Sequence, residues 1–217
     1  MVNEVANLAH AIDKAWLAGA DEVLVVDGGS SDGTPEAAAK ANCKFLEAPL
    51  GRGQQQAAGA EQATGNVILF LHADTWLDER ACDQIRTRFA DADLFCGAFE
   101  QQIAADGTLF RWIESGNAWR VRWRGLFYGD QGIFVSKALY DQVGGMPLEP
   151  LMEDFILARR LKRFPRELLP GKIHVDVRRW QKRGPIRQTV LNWIIVGLFY
   201  LGVSPARLVQ IYRRHDR

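Results

Sequence analysis

The stretch Val25–Thr34, VVDGGSSDGT, decides the fold. An apolar run ends on the carboxylate of Asp27, turns through two glycines and two serines, and meets a second acid, Asp32, just before Gly33-Thr34-Pro35. Thr34 and Pro35 read as the N-cap and first residue of a helix, so the stretch is a strand-to-helix turn. Val23 to Val26 is short, β-branched and unbroken by polar residues, the pattern of a strand covered on both faces. Glycine permits positive φ and close approach of a ligand to the main chain, and Ser30, Ser31 and Asp32 can cap the turn. An ordinary turn would use the same residues. A second acid at the same sheet edge separates the two readings.

Working outward, Val5, Leu8, Ala9, Ile12, Ala15 and Trp16 recur at helical spacing, and Gly19 ends that helix. A helix follows Thr34 to about Ala41. Cys43 to Leu46 reads as a second strand, Gln54 to Ala63 as a helix, and Val67 to Leu71 as a third, buried strand. The alternation predicts a doubly wound α/β sheet with helices on both faces and its ligand site beyond the C-terminal ends of the strands. Asp27 lies at one such end. Asp74, in LFLHADTWL (69–77), lies just beyond another. A carboxylate there can hold a hard divalent cation, Mg2+ or Mn2+, and such a cation neutralises a diphosphate leaving group. His72 is either a second ligand or a partner that orients the turn.

The chain has 217 residues, 47% hydrophobic and 24% charged, which suits a globular domain with a sizeable core and excludes a disordered chain. Cys43, Cys82 and Cys96 show no CxxC spacing and leave an odd one over, which argues against a disulfide framework or a zinc knuckle and for a reducing, cytoplasmic setting. No basic-then-apolar leader opens the sequence. Net charge is +1, but residues 1–158 hold 12 Lys+Arg against 23 Asp+Glu while residues 159–217 hold 15 against 3. A basic, aromatic-bearing C-terminal segment suits nucleotide phosphates or an anionic lipid surface, or simply balances an acidic body.

Five segments in order carry a resemblance: VVDGGSSDGT, GRGQQQAAGA (51–60), LFLHADT (69–75), LMEDFILARRL (151–161) and RRWQKRG (178–184). Together they resemble a family 2 glycosyltransferase of the GT-A fold, closest to the bacterial selenodomain-associated transferase 2 group. The resemblance implies transfer of a sugar from a nucleotide-diphosphate sugar to an acceptor hydroxyl, inverting and metal-dependent, with no nucleic-acid partner. It assigns Asp27, with Ser30 and Asp32, to the nucleotide base and ribose, although many relatives carry Asp-Asp where this chain has Asp27-Gly28. It assigns Asp74 to the metal; His72-Ala73-Asp74 stands in place of the usual Asp-x-Asp. Arg52 would meet the donor phosphates beside the amides of the following helix. Asp154 matches the carboxylate that takes the acceptor proton in inverting members, Glu153 before it would belong to the substrate site, and Asp130 would bind a sugar hydroxyl. Arg179 and Trp180 would close over the diphosphate, and His174 would reach the metal.

Domain limits of 1–184 for the transferase and 185–217 for a helical C-terminal segment follow. Val190 to Val203 is apolar except for Asn192, and its 14 residues fall short of a bilayer span. It is expected either to pack on the domain or to lie in a membrane interface. With the aromatic and basic residues 108–124, this points to a lipid-linked or small-molecule acceptor and to a peripheral position at the inner membrane face. Relatives also open with an apolar strand before a Pro-x-x-Asn-Glu-like stretch, where this sequence starts Met1-Val2-Asn3-Glu4. That strand would be central, between those of 23–26 and 67–71, so unpaired edges are expected inside the sheet, and either a reading frame that begins upstream or a poorly stable fragment. A nucleotidyltransferase, and a non-catalytic protein that binds nucleotide or membrane, are the competing readings.

Overall fold

The computed structural model describes residues 1–177 and 184–214. Helix α1 (Val5–Leu17) buries Leu8 and Ile12 and leads to β1 (Leu24–Asp27). Helix α2 (Thr34–Lys40), with Pro35 in its first turn, leads to β2 (Lys44–Glu47), which pairs with β1 in parallel. Helix α3 (Arg52–Gln62) precedes β3 (Val67–Phe70) and β4 (Thr75–Leu77). The five elements expected between residues 23 and 71 are therefore present, with ends moved by a residue or two.

Beyond them come α4 (Ala81–Arg88), β5 (Cys96–Ile103), α5 (Thr108–Arg124), a 3-10 turn (Gly129–Gln131), β6 (Ile133–Ser136) and α6 (Lys137–Gln142). Then follow α7 (Glu153–Leu161), β7 (Arg166–Val175), α8 (Pro185–Tyr200) and α9 (Pro205–Arg214). Five strands form one mixed sheet in the order β3-β6-β5-β7-β4. Only β5 and β7 pair in parallel within it, with a register shift where Pro170-Gly171 bulge out opposite Phe99/Glu100. Its faces bury Phe99, Phe134, Ile133, Leu157 and Leu161 completely. Leu191 and Ile195 of α8 and Leu208 of α9 join the same core as Phe155 and Leu126.

The architecture is the expected mixed α/β sheet with helices on both faces, but it comes in two pieces. β1 and β2 form a separate two-stranded sheet, and no strand among the described residues bridges β1 to β3. A cavity of about 650 Å³ lies between them, lined by Leu24 and Val26 on one side, Ile68 and Phe70 on the other, and α1 and α3 around it. At its upper end Met1 pairs with β1: its ammonium donates to the Val26 carbonyl at 2.7 Å and its carbonyl accepts from Gly28 N–H at 2.9 Å. Gln55 Nε2 reinforces that end by donating to the Met1 carbonyl at 2.7 Å.

Candidate active site

The ends of β1 and β3, the 3-10 turn and the start of α7 supply the candidate site. After β1, the Asp27 carboxylate is buried and accepts from the main-chain N–H of Gly29 and of Ser30, each at 2.8 Å, and from Ser30 Oγ. Burial alone would raise its pKa, but the bonds from Ser30 and Gly29 hold it below the usual carboxylate value. Asp32 does the same one turn on: it accepts from Thr34 N–H at 3.0 Å, from the Thr34 hydroxyl and from Val5 N–H. Ser30 Oγ also accepts from Asn3 N–H, and Ser31 N–H donates to Asn3 Oδ1. The Asp27 carboxylate, expected at the base and ribose, therefore also has a structural part in this turn. Its oxygens hold the turn, because a buried carboxylate must be matched by donors and the loop amides are the nearest.

After β3 the chain makes a tight turn in which His72 N–H donates to Thr75 Oγ1 at 3.1 Å and Thr75 Oγ1 donates back to the His72 carbonyl at 2.9 Å. His72, Ala73 and Asp74 are held on that turn. The His72 ring is brought to Asp154. A Cβ built on Gly129 would stand 2.7 Å from His72 Nε2 and 3.1 Å from Asp154 Oδ2, so the imidazole and the carboxylate share the space above that glycine.

Asp154 belongs to the first turn of α7, entered through Met152 at φ +68°. A left-handed methionine costs about 1 kcal/mol or more and is retained where the surroundings over-determine it, as at binding and catalytic sites. Asp154 Oδ1 accepts from Phe155 N–H at 2.7 Å and Oδ2 from Gly129 N–H at 2.7 Å. Its partner in the expected Glu-Asp pair faces inward. Glu153 is fully buried, with Oε1 2.9 Å from Arg52 Nε and Oε2 accepting from Arg52 Nη2 at 3.2 Å. Burial, then the neighbouring Asp154, push the Glu153 carboxyl up to about 7 against the pull of Arg52. Arg52, expected on the donor phosphates, is anchored to Glu153, which ties the start of α3 to the start of α7.

Around Asp130 lies a hydrogen-bond network that the sequence did not reveal. Asp130 accepts from Gln101 Nε2 at 2.9 Å, and Gln101 Oε1 accepts from Asn117 Nδ2 at 2.6 Å. Arg120 donates to Asn117 Oδ1 at 2.9 Å and to Gln131 Oε1 at 2.7 Å, and lies 3.7 Å over the Tyr128 ring. Burial lowers the Arg120 pKa and raises that of Tyr128. Asn117 and Arg120, three residues apart on α5, gave a signal that could have been read. They are inward-facing polar residues on a helix whose Trp112, Trp119 and Trp123 face out.

His174 is not brought to Asp74. Its Nε2 lies 2.8 Å from Asp78 Oδ1 and its ring stacks on Trp76 at 5.5 Å. Arg179 and Trp180 lie outside the described residues. Among the described residues no three His, Cys, Asp or Glu side chains cluster to hold a metal by themselves. Asp74, on the 72–75 turn, supplies carboxylate oxygens, the donor type that a hard cation combines with the oxygens of a diphosphate.

This arrangement accords with what the chain resembles. The family model for glycosyl transferase family 2 matches residues 1–145, and the chain belongs to that family. No curated protein matches it. Among solved structures, TarS of S. aureus superposes with a TM-score of 0.64 at 16% identity, over 99% of this chain and 41% of TarS. The mannosyltransferase PcManGT of Pyrobaculum calidifontis, in complex with GDP-Man and Mn2+, gives 0.62 at 18% identity, over 80% of this chain and 54% of that protein. A TarS fragment in complex with UDP-GlcNAc gives 0.62 at 16% identity. The chain thus spans about half or less of the length of these neighbours, and at such identity they share its fold.

Proposed function

We propose that the protein transfers a sugar from a nucleotide-diphosphate donor to an acceptor hydroxyl with inversion, and that Asp154 is the general base. The observation that carries this reading is the setting of Asp154 beside His72, on a helix N-terminus, with each oxygen anchored by a main-chain N–H. Those donors fix the orientation of the carboxylate that would take the acceptor proton. Attack then occurs on the sugar face opposite the diphosphate, and one base suffices because a charge-neutralised diphosphate departs unprotonated. A divalent cation held through Asp74, with His72 beside it, would supply that neutralisation.

Asp130, held by Gln101, is placed for a sugar hydroxyl, and Arg52 and Glu153 keep α3 and α7 in register beneath the donor. The acceptor is a lipid-linked or small-molecule alcohol, at a membrane-proximal position. The complexes of the neighbours with GDP-Man and UDP-GlcNAc support a nucleotide-sugar donor. A panel of nucleotide sugars, assayed for hydrolysis and transfer with and without Mn2+, identifies the donor. On that donor Asp154→Asn lowers kcat by about 100-fold or more, the usual contribution of a general base, with nucleotide affinity within about threefold of wild type. An unchanged kcat removes Asp154 from the chemistry, and calorimetric nucleotide binding that ignores metal and survives Asp74→Ala favours a non-catalytic binding protein.

A further inference from the structure

Helix α8 is apolar around most of its circumference, interrupted by Gln188 and Asn192, yet the protein covers only one side of it. Gln188, Leu191 and Ile195 face the core. At 3.6 residues per turn, Tyr200, Trp193, Ile186, Gly197, Val190, Leu201 and Ile194 fall within an arc of about 120° on the opposite side. Every large side chain in that arc is exposed: Leu201 by 81%, Trp193 by 71%, Ile186 by 65% and Ile194 by 49%. A helix that is hydrophobic all round belongs in a core or against lipid.

The charge around the helix says which. No Asp, Glu, Lys or Arg occurs from residue 188 to 206, whereas Arg187 opens the helix, Arg178, Arg179, Lys182 and Arg183 precede it in sequence, and Arg207, Arg213 and Arg214 follow. In sequence the helix is flanked by basic residues on both sides, and its apolar arc holds an indole and a phenol, the composition of a helix seated at headgroup level. Two copies meeting face to face would bring like-charged ends together, which disfavours a symmetric dimer. No helix among the described residues is long and apolar enough to cross a membrane, so the geometry is in-plane.

We propose that α8 docks the protein on an anionic phospholipid bilayer, with its axis in the membrane plane and the Ile186–Leu201 arc at the acyl boundary. The docking is distinct from sugar transfer, since it needs neither donor nor turnover. The test is flotation of the full chain with vesicles of phosphatidylcholine alone and with 30% phosphatidylglycerol. Wild type floats with the anionic vesicles, and 0.5 M NaCl weakens this, as expected of a basic surface. The exposed-face double variant Trp193→Glu/Ile194→Glu partitions about tenfold less or worse, with an unchanged circular-dichroism melt. A second pair, Ile186→Ser/Leu201→Ser, gives the same loss if the first alters folding. Wild type that remains unbound by anionic vesicles, or variants that float like wild type, overturns the proposal. So does a wild-type dimer in light scattering that the same substitutions dissociate, which assigns the face to a second copy.

Discussion

At the residue scale, Glu153, expected in the substrate site, is instead fully buried against Arg52. It lies next to another acid and has a single cation, Arg52, for compensation. Its folded pKa of about 7 lies above the 4.5 of an unperturbed glutamate, so the folded protein binds the proton more tightly between those values. Stability from this group is therefore full below about pH 4.5 and is lost as pH rises through 7. Asp27 and Asp78, whose carboxyls are held low, titrate beneath that window. Urea titrations from pH 5 to 8 should show wild type losing on the order of 1 kcal/mol or more, and Glu153→Gln a flatter profile. An equal slope in both would assign the pH dependence elsewhere. Asp154 and Glu153 were adjacent acids in the sequence; that one faces the site and the other Arg52 follows from the 100° step of the helix and from α3 lying against it.

At the element scale, the 3-10 turn and α7 make the site together. Gly129 donates to Asp154 and leaves room for His72, and a β-carbon there would have to displace one of them. Gly129→Ala is expected to cost about 1–3 kcal/mol by overcrowding and to lower kcat by more than tenfold, while a distant exposed substitution does neither. A Tm and kcat both within error of wild type would show that the turn relaxes. This pairing was beyond the reach of the sequence, since 25 residues separate Gly129 from Asp154 and nothing local marks them as neighbours. The strand-to-helix turn at 27–34 was legible because its signals are local: Asp, Gly and Ser side chains that bond their own backbone. The same locality accounts for the bonds from Gly29 and Ser30 to Asp27, which tie its carboxylate into the turn.

At the scale of the whole molecule, the split sheet is the dominant feature. Edges of β1 and β3 face each other across a cavity of about 650 Å³, and main-chain groups along such a slot lack strand partners that a buried sheet normally supplies. A Val/Ile-rich extension of about eight residues fused ahead of Met1, continuing the pairing that Met1 already makes with the end of β1, is expected to fill it. The Tm should rise by at least about 3 °C, equivalent to roughly 1 kcal/mol or more for a chain of this size. A Tm unchanged by the extension, with the extension still protease-sensitive, would show that the slot takes no strand. The C-terminal helices also belong to this scale, because Phe155 of α7 meets Phe199 and Tyr200 of α8 edge-on, at 5.5 and 5.6 Å, and so joins the helix that carries Asp154 to the segment proposed to meet lipid.

By itself the sequence determined the α/β class, the order of the early elements, the acidic turns and the Glu-Asp pair, because hydrophobic period and turn chemistry act within a few residues. Only the tertiary structure decided that His72 and Asp154 share one space, that Arg52 answers Glu153, that His174 bonds Asp78, and that Asn117 and Arg120 join the network around Asp130. Each of those depends on which backbones approach across the fold, and that is set by packing around a common core rather than by the neighbours of any residue in the chain.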